Sequence, residues 1–174
     1  DFIYANAMST LAVGKVRYGL MLNELGVIID DGVCARLGDD HFLVGTSSAG
    51  AERIADWLEE WLQCELIDYD VLVAPVTTSW AVVTLTGPRA RELLLALGAD
   101  FPVGEESFGH MSFRQGTVAG IAARVFRVSY TGETSFEINV STAQAALLWD
   151  KAMAIGAPWG VTPVGIDAWN LLRL

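Results

Sequence analysis

Short apolar-rich runs over residues 17–22 and 27–37, parted by a turn, read as two strands. Between them Asn23-Glu24-Leu25-Gly26 reads as the turn, with Gly26 able to take the positive φ that such turns often require. Successive strand side chains face opposite ways, so at most one of Asp30 and Asp31 lines a given pocket. A turn at Gly38-Asp39-Asp40 leads into a third strand over 41–46. The period then changes. Ile54, Trp57, Leu58, Trp61 and Leu62 recur three and four apart, which predicts a helix over 50–64 with one core-facing stripe. Ser48 is the candidate cap, and Asp56, Glu59 and Glu60 fill the wet side. Strands follow over 71–74 and 80–86. Gly87-Pro88 ends the second and opens a helix through Leu97, with Leu93, Leu94 and Leu97 inward and Gly98 as the stop.

Residues 100–116 show no regular period. Strands broken at Gly120 are expected over 118–129, a turn at Tyr130-Thr131-Gly132-Glu133, and a strand over 136–140. Residues 142–155 read as a helix capped by Ser141 or Thr142, with Ala146, Leu147, Trp149 and Met153 packing inward. A last helix begins after Pro163. Hairpins among the strands imply an α+β fold of mixed, largely antiparallel sheets with packed helices. Strand–helix–strand order around 41–86 and 121–174 leaves a split βαβ sheet open. Two lobes, about 1–98 and 99–174, are expected. Both ends of the chain are apolar, which suggests the central part of a longer domain.

Composition narrows the function. Eleven basic side chains face 21 acidic ones, a net charge of -10, and Lys15 and Lys151 are the only lysines. Phosphate contacts need a cationic surplus, so no nucleic acid is expected as a partner. Apolar runs such as Gly26-Val27-Ile28-Ile29 stop far short of the roughly twenty residues of a membrane helix, so no membrane is expected either. Cys34 and Cys64 are too few for a disulfide framework or a metal site, and reduced thiols suit the cytoplasm. His41 and His110 have no local ligand cluster, so no metal is expected. Neither Gly-rich phosphate-binding loop is present, and Ser129 lacks the spacing of a nucleophile elbow.

What remains are carboxylates beside apolar strands. Asp30 and Asp31 follow Val27-Ile28-Ile29, Glu133 follows Tyr130-Thr131-Gly132, and Glu137 lies in the strand beyond. A carboxylate in an apolar pocket is paired, hydrogen-bonded or shifted in pKa, which suits it to bind an amine or the N–H edge of a heterocycle. Asp-Asp-Gly and Thr-Gly-Glu are equally ordinary turn compositions, and residue chemistry alone leaves both readings standing.

An ordered set of motifs shifts that balance. Gly14-Lys15-Val16-Arg17-Tyr18-Gly19-Leu20-Met21-Leu22-Asn23 leads into Gly26-Val27-Ile28-Ile29-Asp30-Asp31-Gly32. Thr86-Gly87-Pro88-Arg89-Ala90 and Ser129-Tyr130-Thr131-Gly132-Glu133-Thr134-Ser135-Phe136-Glu137-Ile138 come later. Gly160-Val161-Thr162-Pro163-Val164-Gly165 and Leu172-Arg173-Leu174 close the set. Together they resemble the aminomethyltransferase family, the T-protein of the glycine cleavage system. The opening Tyr4-Ala5-Asn6-Ala7-Met8-Ser9-Thr10-Leu11 is more similar to the T-protein-like region of sarcosine oxidase alpha subunits.

The resemblance implies several lobes around a folate pocket and transfer of a one-carbon unit to tetrahydrofolate, giving 5,10-methylenetetrahydrofolate. It implies an essential aspartate at Asp31, with Asp30 as the fallback, near folate N10 and the incoming carbon. It implies that Glu133 holds the pterin N–H edge, with Tyr130 and Tyr18 as pocket walls or packing residues. Flavin and NAD would lie elsewhere in the parent complex. The partners implied are the rest of the polypeptide and the other sarcosine oxidase subunits. One departure bears on the choice of subgroup. Where the T-protein has an arginine four residues before the arginine of its Leu-Arg-Leu ending, this chain has Trp169, and Asn170 replaces the following aspartate. That fits a sarcosine oxidase relative better than a glycine-cleavage enzyme.

Overall fold

A computed structural model describes residues 1–173, and Leu174, the last residue of the Leu-Arg-Leu motif, lies outside the described residues. The chain divides into two compact units, Asp1–Thr77 and Thr78–Leu174. The sequence reading sets the division near residue 98. The observed boundary falls earlier because the segment over 80–97 contributes a strand and a helix to the core of the second unit.

The first unit carries a three-stranded antiparallel sheet of β1 (Val16–Leu22), β2 (Ile28–Arg36) and β3 (Phe42–Val44), in that order. The β1–β2 turn is built as expected. Asn23 Oδ1 accepts the N–H groups of Leu25 and Val27 at 3.0 and 2.9 Å, and Gly26 sits at φ +77°. Helix α1 (Ala51–Cys64) lays Ile54 into a small core with Tyr4, Met8, Met21 and Cys34. Its entry differs from the expected cap. Ser47, not Ser48, accepts the Gly50 N–H, and it does so for a short 3₁₀ turn, Ser48–Gly50, that precedes α1. Residues 71–74 form no strand. Their apolar run suits an extended chain, yet no neighbouring strand among the described residues supplies a ladder.

The second unit is a four-stranded antiparallel sheet, ordered β4 (Trp80–Thr86), β7 (Ser135–Ser141), β6 (Ile121–Arg127), β5 (Ser112–Val118). Every pairing in both sheets is antiparallel; the strands either side of α1, β3 and β4, belong to different sheets, and among the described residues no strand follows Ser141, so the split βαβ alternative fails. Helices α2 (Ala90–Ala96) and α3 (Ala145–Gly156) cover one face, burying Leu93, Leu94, Leu97, Leu148 and Ala152 against Val83, Leu85, Val125, Phe136, Ile138 and Val140. A short α4 (Ile166–Leu171) ends the chain.

Two misreadings in this unit have physical causes. Strand β5 falls largely within the stretch without period. Gly116 interrupts its pattern because the Asp100 loop lies against that position: a Cβ there would strike the carboxylate that accepts the Thr117 N–H at 2.7 Å. In α3 the inward residues are Leu148, Ala152 and Gly156, while Leu147 and Trp149 are exposed. That helix is apolar nearly all round, so its periodicity does not choose a face. Neither Ser141 nor Thr142 caps it; Thr142 Oγ1 donates to the Thr78 carbonyl instead. Among the described residues no helix is long and apolar enough to cross a membrane.

Candidate functional site

Strand β2 separates its two aspartates as the period requires. Asp30 pairs across the ladder with Met21 and is buried; Asp31 pairs with Leu20 and is exposed. The Asp30 carboxylate is fully engaged inside the unit. It accepts the Ser47 N–H at 2.8 Å, the Ser47 hydroxyl at 2.9 Å and the Asp31 N–H at 2.8 Å, with Arg53 at 3.7 Å. Burial pushes this carboxyl up, but the Ser47 and Asp31 donors and the Arg53 charge outweigh it, and the net is below the ordinary value. Gly50 is required beside it, since a Cβ would collide with Asp30 Oδ2. Asp30 therefore clasps β2 to the entry of α1.

Asp31 has the opposite character. Its carboxylate lies on the outer face of the hairpin and accepts the Tyr18 hydroxyl at 2.5 Å. Tyr18 stands on β1 two residues from Leu20, the partner of Asp31, so the two side chains are diagonal neighbours on one face. An exposed carboxylate with one oxygen engaged keeps acceptor capacity for a ligand.

In the second unit, Tyr130 and Glu133 lie on the loop over 128–134 between β6 and β7. Gly132 takes φ +84° at its tip, and the Gly87 N–H donates to the Thr134 carbonyl at 2.9 Å where the loop re-enters the sheet. Glu133 is exposed, and its carboxylate has no hydrogen-bond or ionic partner among the described residues. Tyr130 is held by α4: its hydroxyl donates to Asn170 Oδ1 at 3.0 Å and its ring stacks on Trp169. The structure thus joins Tyr18 with Asp31 in one unit, and places Tyr130 and Glu133 on one loop of the other. It engages the Tyr130 ring in packing as well as leaving it part-exposed.

The carboxyl that burial perturbs in the second unit is Glu137, on β7 opposite Thr84 and Phe126, where desolvation raises its pKa. The sequence marks it as a strand carboxylate but carries no signal of that burial. A cavity of about 710 Å³ opens in the same unit, lined by Thr86, Arg89, Trp149, Trp159 and Trp169 among others. Trp169 connects its wall to Tyr130. No periodicity points to this cavity, because its walls come from four separate segments.

Comparisons with known proteins add the following. The GCVT N-terminal domain model matches residues 1–174. The alpha subunit of sarcosine oxidase from Corynebacterium sp. (strain U-96) is 39% identical over 172 residues, covering 98% of this chain and 18% of that protein. Aminomethyltransferase from Thermotoga maritima is 33% identical over 174 residues, covering 100% of this chain and 46% of that protein. The crystal structure of glycine cleavage system aminomethyltransferase T from Bartonella henselae superimposes with a TM-score of 0.81 at 26% identity, over 98% of this chain and 43% of that one. The chain therefore spans less than half the length of each of these proteins.

Proposed function

The chain belongs to the GCVT N-terminal domain family, and from that premise we propose that it forms the folate-binding, one-carbon-transfer part of a sarcosine oxidase alpha subunit. The observation that carries this reading is the division of labour in the Asp30-Asp31 pair. Asp30 is consumed by the fold, while Asp31 is presented outward beside the Tyr18 hydroxyl. An exposed, oriented carboxylate is what the family aspartate requires.

The exposed carboxylate on the loop over 128–134 supports a tetrahydrofolate reading. Glu133 is exposed with both oxygens unpartnered among the described residues, which suits a paired N–H edge. Tetrahydrofolate, when bound, supplies the amine nitrogens that accept the one-carbon unit as 5,10-methylenetetrahydrofolate. Glu133 would grip the pterin edge through two charge-assisted hydrogen bonds and fix the ring plane. Asp31 would stand near the reactive amine, favouring positive charge there and orienting the attack. The Tyr18 hydroxyl holds the Asp31 carboxylate in one orientation, and Tyr130 contributes wall. Flavin and NAD belong, in this reading, to other parts of the parent complex, and the partners are the remaining polypeptide and the other subunits of a cytoplasmic assembly.

Glycine-cleavage aminomethyltransferase is the second reading, supported by the identity and fold likeness to that enzyme. Trp169 and Asn170, at positions where the T-protein has arginine and aspartate, weigh against it. A family member that binds folate without one-carbon transfer is the third. Calorimetry on the full polypeptide with 5-formyltetrahydrofolate tests the assignment. Replacement Glu133→Gln is expected to weaken binding at least about tenfold, the scale of one lost charge-assisted bond. Unchanged affinity would remove Glu133 from the site. Sarcosine-dependent formation of 5,10-methylenetetrahydrofolate separates the first reading from the other two.

A further inference from the structure

We propose that α4 is a latch on the loop over 128–134, with Trp169 as its positioning residue. Three contacts, two from this one short helix and one from Arg173 two residues past its end, converge on a single ring. Trp169 stacks on Tyr130 with centroids 5.9 Å apart and planes 10° from parallel. Asn170 Oδ1 accepts the Tyr130 O–H at 3.0 Å. The Arg173 guanidinium lies 4.5 Å from the Tyr130 ring centroid.

At that end Val128 is buried, but apart from Tyr130 the polar side chains that follow it are not tied down. The hydroxyls of Ser129 and Thr131, which flank Tyr130, are buried and have no hydrogen-bond partner among the described residues. Gly132 adds backbone freedom, and the tie from Gly87 acts only at Thr134, the far end. Nor does α4 hold itself. It has six residues and buries none of them, with Ile166 and Leu171 largely exposed. A helix that short has no stability of its own. Loop and helix therefore order each other through the Tyr130 contacts.

The consequence for binding rests on the proposed role of Glu133: a carboxylate three residues from Tyr130 grips a ring edge well only if the loop is fixed beforehand. Hydrogen–deuterium exchange on the full polypeptide tests the latch without that premise. With Trp169→Ala, amides over 129–134 are expected to exchange about tenfold faster, and Trp169→Phe, which keeps a stacking ring, restores most of the protection. Calorimetry with 5-formyltetrahydrofolate is expected to show about fivefold weaker binding for Trp169→Ala and near-normal binding for Trp169→Phe. Unchanged exchange over 129–134 in Trp169→Ala overturns the proposal. If that variant loosens the whole second unit, Asn170→Ala carries the test, and no acceleration confined to 129–134 there overturns it equally. A wild-type chain that does not bind the probe but shows the exchange pattern refutes the folate reading and leaves the latch intact.

Discussion

The two units solve the same problem with different means. Residues 1–77 hold thirteen carboxylic side chains against four basic ones, while residues 78–174 hold eight against seven. The second unit is close to neutral, and each of its six arginines lies over an aromatic ring, as Arg124 does over Trp80 and Arg91 and Arg127 over Phe136. Its core gathers seventeen buried apolar residues from four strands, two helices and the segment over 97–108. The first unit buries only five in its cluster and adds a polar clasp, Asp30 on Ser47, at the junction of sheet and helix. The comparison teaches that packing dominates where the core is large. Where it is small, one buried hydrogen-bonded charge carries a larger share of the cohesion.

The largest effect expected from this contrast is in the second unit. Phe136 is fully buried, packs 5.5 Å from Phe108 and lies beneath two guanidinium groups. Phe136→Ala is expected to cost about 3–5 kcal/mol in denaturant unfolding. A cost near that of a surface change would mean the core does not hold the unit together.

Asp30→Asn comes next, at about 1.5–3 kcal/mol, because charge-assisted bonds from Ser47 and Asp31 are lost in a buried setting. Its pH signature sharpens the contrast. The folded carboxyl sits below its ordinary value, so the unfolded chain binds more protons in that window. The contribution is complete above the ordinary carboxylate range and is lost as pH falls through the folded value. Asp30→Asn should flatten that acid slope. If its exchange pattern loosens β6 and β7 as much as β2 and α1, the distinction between the units fails.

The smallest effect has the opposite sign. Burial raises Glu137, so the folded state keeps its proton longer than the unfolded one. Stability falls as pH rises from the ordinary carboxylate range to the folded value. Glu137→Gln should therefore be more stable than the parent at neutral pH and equal to it in acid, as read from melting temperatures. Equal stability at both ends would mean that solvent reaches this carboxyl.

Much of the fold was legible locally. The hairpin turn at Gly26, the α1 stripe on Ile54, the inward leucines of α2 and the stop at Gly98 all follow from short-range pattern, and the structure has them. Strand β5 was hidden because Gly116 answers to Asp100 across a loop, and the face of α3 because too many of its residues are apolar. Of the candidate site, the opposite facing of Asp30 and Asp31 was readable from the period of two. Which of them the fold would consume was not, since that depends on Ser47, seventeen residues away.

The sequence alone determined the family, the α+β class and the two short acidic motifs, because motif order and side-chain period are properties of neighbours along the chain. Tertiary structure decided that Asp31 is the outward carboxylate beside Tyr18, that Glu137 is the acid whose pKa burial raises, and that Tyr130 meets Asn170 forty residues later. Those outcomes depend on burial and on partners chosen in space, and a residue's period specifies which way it faces but not what it will find there.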